Sequence, residues 1–192
     1  MKNCLLGIIL YLTWCIPYPL AQTLDQVNWP AGFSPKESSI YVENQIDIQA
    51  PPGKVWQELI QAEDWPSWYY GASEVQILGE TPGKRLGEGS LFSWKTMGMV
   101  FTSAVLAFDP EAQLSWISKK KSIQGFHVWR IIATDTGCRV ITAESQNGWL
   151  TRMEKLFQPK KLYNQHADWL QLLKERVEPK DTFATIPDPN CP

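Results

Sequence analysis

Between Glu37 and Gln49 apolar and polar positions alternate, with Ile46 and Ile48 set against Asp47 and Gln49. A period of two predicts a half-buried strand. Pro51 and Pro52 stop it, because proline cannot donate to a strand ladder and its fixed φ suits a helix's first turn. Val55, Trp56, Leu59 and Ile60 then recur at helical spacing as one apolar stripe. Trp65-Pro66-Ser67-Trp68 ends this helix, since the residue before a proline is steered away from helical geometry.

The period of two returns in six further segments. These are Ala72 to Leu78, Ser90 to Met97 (Phe92, Trp94 and Thr96 on one side), Val100 to Phe108, Gln113 to Ser118, Ile123 to Thr134 and Arg139 to Gln146. Turn chemistry separates them at Gly79 to Lys84, Gly98, Asp109-Pro110, Lys119 to Lys121 and Thr136-Gly137. After Asn147-Gly148 the period changes to 3.6, and Leu162, His166, Trp169, Leu170, Leu173 and Val177 fall on one helical face. Pro159 is expected to kink or divide this helix and Pro179 to stop it. A run of strands with short turns pairs as an antiparallel meander. The long helix must bury its apolar face, and the concave side of the sheet is the one large surface available. The expectation is an α+β fold: a curved seven-stranded antiparallel sheet gripping a C-terminal helix, with two short helices after strand 1.

At 192 residues the chain allows one domain plus extensions. A hydrophobic content of 44% against 20% charged residues supports a packed core. The formal charge of −2 gives no electrostatic case for nucleic acid. The N-terminus has targeting character: Lys2, the apolar run Leu5 to Leu12, then Pro17, Pro19 and Ala21. Residues 1–21 are expected to be a signal peptide cut after Ala21, which implies export to a periplasmic or extracellular space. An uncleaved anchor and a lipoprotein signal at Cys15 are the competing readings. The prolines make the run a poor spanning helix, and Trp14 is bulky for the lipoprotein case. Residues 22–35 form an irregular leader, 36–178 the folded domain, and 179–192 a proline-rich tail. In an oxidising compartment Cys138 and Cys191 are a disulfide candidate, with two unpaired thiols as the alternative.

IDIQAPPGKVWQELIQAEDWPSWY, RLGEGSLFSW, VLAFDPEAQLSW, TGCRVITAE and HADWLQLLKERVE together resemble the SRPBCC superfamily, which includes START-type lipid-transfer domains and polyketide cyclase/dehydrase-like proteins. IDIQAPPGKVWQELIQAEDWPSWY is similar to its opening strand, Ala-Pro turn, Val-Trp helix and Trp segment. RLGEGSLFSW, VLAFDPEAQLSW, TGCRVITAE and HADWLQLLKERVE resemble its Gly-rich strand entry, Asp-Pro hairpin, last strand and C-terminal helix. The resemblance spans roughly Ile40 to Glu178. It implies the helix-grip fold and adds a hydrophobic cavity between sheet and helix.

Strand parity sorts the candidate chemistry. If Trp129 and Ile131 face the helix, so does His127; if Val140 and Thr142 do, so does Glu144. Such a pair inside an apolar cavity has the makings of a general acid and base. The plainer alternative is a satisfied core histidine and a buried acceptor. Ten tryptophans are many for this length, and Trp65, Trp68, Tyr70, Phe92, Trp94, Trp116 and Trp129 are the candidates to line a ligand pocket. Ordinary core packing is the alternative for each. Gly83, Gly87 and Gly89 precede a strand, so a phosphate loop is not indicated. His127 and His166 have no zinc-type spacing with the cysteines, and no Gly-x-Ser-x-Gly elbow occurs. His166 reads as a packing residue, and no metal or cofactor is expected.

Three functions follow from these residues. The first is an exported protein enclosing a small hydrophobic ligand, of lipid or polyketide-like type, with no stable membrane span after signal removal. Its entry would be gated by Trp65 to Gly71 and the Gly-rich hairpin. The second is a cyclase or dehydratase using His127 and Glu144. The third is a non-catalytic envelope module that docks through its Trp-rich end.

Overall fold

The structure, a computed structural model, describes residues 24–79 and 84–178. The expected signal segment, Gly83, the tail and Cys191 lie outside them.

Strand β1 (Ile40–Ile48) ends at the proline pair, and Pro52 opens helix α1 (Pro52–Ile60) as its first residue. Val55, Trp56, Leu59 and Ile60 are its buried face. The Trp65-Pro66 segment winds as a 3-10 helix, Ala62–Ser67, instead of extending α1. Six strands follow: β2 (Ser73–Leu78), β3 (Leu91–Thr96), β4 (Met99–Asp109), β5 (Gln113–Lys119), β6 (Gln124–Thr134) and β7 (Gly137–Asn147). They form one antiparallel sheet in the order β1-β7-β6-β5-β4-β3-β2, so the first strand closes onto the last.

The C-terminal helix is divided, as Pro159 requires. Helix α2 (Trp149–Phe157) and helix α3 (Lys161–Val177) are separated by Gln158 to Lys160. The buried residues of α3 are Leu162, His166, Trp169, Leu170, Leu173 and Val177, the whole of the predicted stripe. Trp169, Leu170, Leu173 and Val177 pack with α1 and the concave face of the sheet into one core. At the start of α2, Gly148 has φ +120°, and a Cβ there would lie 2.4 Å from the Ser122 carbonyl oxygen. Only glycine permits that close approach between the β7 exit and the β5–β6 hairpin.

The leader also packs. Val27 and Phe33 are buried against Phe126 and Val128 on the outer face of β6, and Trp29 meets Phe126 edge-on at 5.4 Å. This explains why β6 is buried on both faces along most of its length. Cys138 is a buried thiol with no disulfide partner among the described residues, pushed up to about 11 by burial and by the nearby Asp47 carboxylate.

Candidate functional site

Register builds the site. Trp116 stands opposite His127, and His127 opposite Glu144, so three adjacent strands place these side chains in one row on the concave face. The parity expected from Trp129, Ile131, Val140 and Thr142 therefore holds. One step along β6, Gly125 leaves room for the carboxylate: a Cβ there would sit 2.7 Å from Glu144 Oε1. Helix α3 crosses above and lowers His166 and Trp169 onto the row.

Glu144 Oε2 lies 3.3 Å from His127 Nδ1 and 3.2 Å from His166 Nε2. Its Oε1 accepts a 2.7 Å hydrogen bond from the Gln146 amide. Both imidazoles are almost fully buried, while Glu144 keeps 14% of its side chain exposed. Burial and the neighbouring His166 push the His127 imidazole down to about 3, against the pull of Glu144. Near pH 7 it is neutral. Burial pushes the Glu144 carboxyl up, but the His166 hydrogen bond, the influence of both imidazoles and the Gln146 amide outweigh it and carry the group below the usual range. The result is an anion beside a neutral histidine. With Nδ1–H of His127 donating to Glu144, its Nε2 accepts the Thr142 hydroxyl at 2.7 Å. The same logic has His166 donating through Nε2, which leaves its Nδ1 buried without a hydrogen-bond partner.

His127, Glu144 and His166 are also a set whose ligating atoms all lie within 4.8 Å of one another. The helix contributes the third donor, which chain spacing hid. Two histidines and a carboxylate are a recognised ligand set for zinc or iron(II). Here, however, the two imidazoles lie nearly parallel, 18° apart with centroids separated by 4.7 Å. Ligating histidines also normally donate their second N–H, and among the described residues His166 Nδ1 has no acceptor. The geometry fits a hydrogen-bonded cluster better than a metal centre.

This cluster forms the inner wall of a cavity whose other walls include Tyr69, Trp94, Met97, Phe101, Trp116, Ile123, Leu162 and Trp169. Its free volume is about 30 Å³, room for roughly two waters. Trp65 packs with Phe92, Trp94, Trp116 and Trp169, with ring centroids 5.3–5.9 Å apart.

Of the predicted pocket residues, Trp94, Trp116, His127 and Glu144 line the cavity. Trp65, Phe92 and Trp129 do not; they are fully buried core residues behind it. Trp68 is half-buried against the core. Tyr70 points outward, 73% exposed, and its hydroxyl donates to Asp168 on α3. The lining tyrosine is its neighbour Tyr69, stacked on Trp169 at 4.3 Å and 7°. Within the expected gate, Trp65 to Gly71, Trp65 is a core anchor, Tyr70 a latch onto α3 and Tyr69 a lining residue, and Met97, Phe101, Ile123 and Leu162 also line the cavity. At the Trp-rich end Trp65 is fully buried and Trp68 half-buried. Sequence reasoning missed Tyr69, His166 and Trp169. A histidine within an otherwise apolar helical stripe was the one available signal.

No curated protein matches the chain. Among solved structures, a hypothetical protein of Helicobacter pylori is similar over 82% of this chain and 99% of its own, with 23% identity and a TM-score of 0.74. The Zhui aromatase/cyclase of a Streptomyces species covers 72% of this chain and 93% of its own, with 15% identity and a TM-score of 0.59. A START superfamily protein of Mycobacterium smegmatis covers 71% and 96%, with 14% identity and a TM-score of 0.56. These likenesses carry the helix-grip fold. Residues 39–178, the sheet, its gripped helix and the cavity between them, match the family model described as "Polyketide cyclase / dehydrase and lipid transport", and the chain belongs to that family, within the SRPBCC superfamily.

Proposed function

We propose that this protein encloses a small, mostly apolar ligand with one polar end. The observation that carries this is a largely buried anionic carboxylate, Glu144, held by two imidazoles at the inner wall of an aromatic cavity. The aromatic walls supply apolar contact at about 25 cal/mol per Å² buried. Glu144 accepts a donor group of the ligand, such as a hydroxyl. A free volume near 30 Å³ admits only that end, because ligand pockets usually run to several hundred Å³. Uptake therefore requires lining side chains such as Met97, Phe101 and Leu162 to move outward. The family's description, covering lipid transport and polyketide cyclisation, agrees with such a ligand.

Native mass spectrometry of protein purified from its own host tests this. A co-purified apolar molecule, lost in Glu144→Gln, is the expected result. A ligand-free spectrum, together with no uptake of a fluorescent fatty acid or polycyclic phenol, overturns the proposal.

A neutral His127 beside an anionic Glu144 also favours a second possibility, acid–base catalysis on the bound ligand. Turnover that His127→Ala abolishes while ligand capture persists would establish it. The N-terminal pattern of Lys2, Leu5 to Leu12 and Ala21 supports action after export. N-terminal sequencing of the mature protein should begin at Gln22, and an intact Met1 would refute cleavage.

A further inference from the structure

Helix α2 is turned inside out relative to the other elements. Trp149, Met153, Leu156 and Phe157 are exposed, Leu156 by 72% and Phe157 by 68%. At 3.6 residues per turn they share an arc of roughly 100° on the outward side. The inward side is small and fully engaged. Thr151 donates to the Asn147 carbonyl, the Leu150 amide bonds Ser122, and Leu150 packs on the core. The apolar arc is therefore not a core face that failed to find its partner within the domain. Arg152 borders the arc and Lys160 follows it, both exposed, while Lys155 lies on the other side of the helix and bonds the Ser39 carbonyl. Across 149–161 four basic residues stand against a single acidic one, Glu154, which Lys161 pairs at 3.0 Å, in a chain whose formal charge is −2.

We infer that α2 is an interfacial helix that lays its apolar arc into an anionic lipid surface. The arc is convex and carried by one helix, which suits insertion in the plane of a headgroup layer. Arg152 and Lys160 complement anionic headgroups, each adding attraction near such a surface. The placement links the surface to the site. Helix α2 starts beyond Gln146 and runs through Gln158 to Lys160 into Leu162, and both Gln146 and Leu162 line the cavity. Docking would bring that end of the cavity against lipid. This holds whether or not the cavity's own ligand is a lipid.

Co-sedimentation with vesicles tests it, using the chain as isolated from its host. Vesicles of phosphatidylcholine containing phosphatidylglycerol should retain the protein, pure phosphatidylcholine much less, and added salt should release it. Leu156→Ser with Phe157→Ser should weaken binding by at least about tenfold. Arg152→Glu alone should weaken it at least roughly fivefold. Both sites are exposed, so thermal melts should match the parent. Comparing parent with variants separates α2 from any contribution of the apolar segment Leu5 to Leu12. Equal binding by parent and double variant overturns the inference, as does no binding to either vesicle. A dimer in sedimentation equilibrium that the double variant dissociates would assign the arc to a second copy of the chain instead.

Discussion

The charge state of His127 makes a prediction that can be worked through in numbers. Burial between sheet and helix, aided by His166, carries its imidazole from 6.5 in the unfolded chain to about 3 in the fold. Lowering a base in this way means that the unfolded chain binds the proton first. Stability is therefore complete above about pH 6.5 and is lost as the pH falls from there toward 3. One pH unit corresponds to about 1.4 kcal/mol for one group. Between pH 6.5 and 5 the loss through His127 should thus reach about 2 kcal/mol, a range in which most carboxylates stay ionised. Urea denaturation at half-unit steps across this range measures it. His127→Gln keeps an acceptor for the Thr142 hydroxyl and removes the titrating group, so its curve should lack this slope, whatever its offset. Two results would refute the reasoning. Parallel curves for parent and variant would mean that His127 binds its proton equally in both states. A parent that gains stability on acidification, relative to the variant, would mean that Glu144 holds an imidazolium and that attraction outweighs desolvation.

Other outcomes follow from the same geometry. Glu144→Gln sets an amide against the Gln146 amide donor and weakens two imidazole contacts; about 1.5–3 kcal/mol should be lost at pH 7. That difference should shrink as pH falls through the lowered Glu144 range, since the parent's advantage needs the carboxylate ionised. Gly125→Ala drives a methyl to 2.7 Å from Glu144 Oε1, and should break the Gln146 bond and reduce capture of a fluorescent phenol, read by titration. Trp65→Ala removes the centre of the tryptophan cluster and should lose about 3–5 kcal/mol in urea denaturation, whereas Tyr70→Phe, at an exposed hydroxyl, should lose less than about 1 kcal/mol.

Much of the fold was legible because its signals are local. Alternation marked all seven strands, the proline pair placed the first helix, and Pro159 divided the last one as expected. Parity along β6 and β7 put His127 and Glu144 on the correct face. The cavity lining was only partly legible. Trp65 and Phe92 are as apolar as Trp94 and Trp116, and nothing in their spacing tells core from cavity wall. Tyr69 and Tyr70 are adjacent and identical, yet one stacks on Trp169 and the other reaches solvent. Helix α2 has helical periodicity, but its apolar face points outward, which no single-helix pattern reveals.

Sequence alone determined which elements form, which face of each strand and of α3 is apolar, and hence a sheet wrapped on a helix. Periods of two and 3.6 are properties of the backbone and need no distant partner. Tertiary structure decided what those faces meet. Register between β6 and β7 sets His127 opposite Glu144, and the position of α3 across the sheet adds His166, 22 residues further on. Those placements depend on sheet curvature and on how α3 is anchored at both ends. They convert two isolated candidates into one buried cluster with a defined charge.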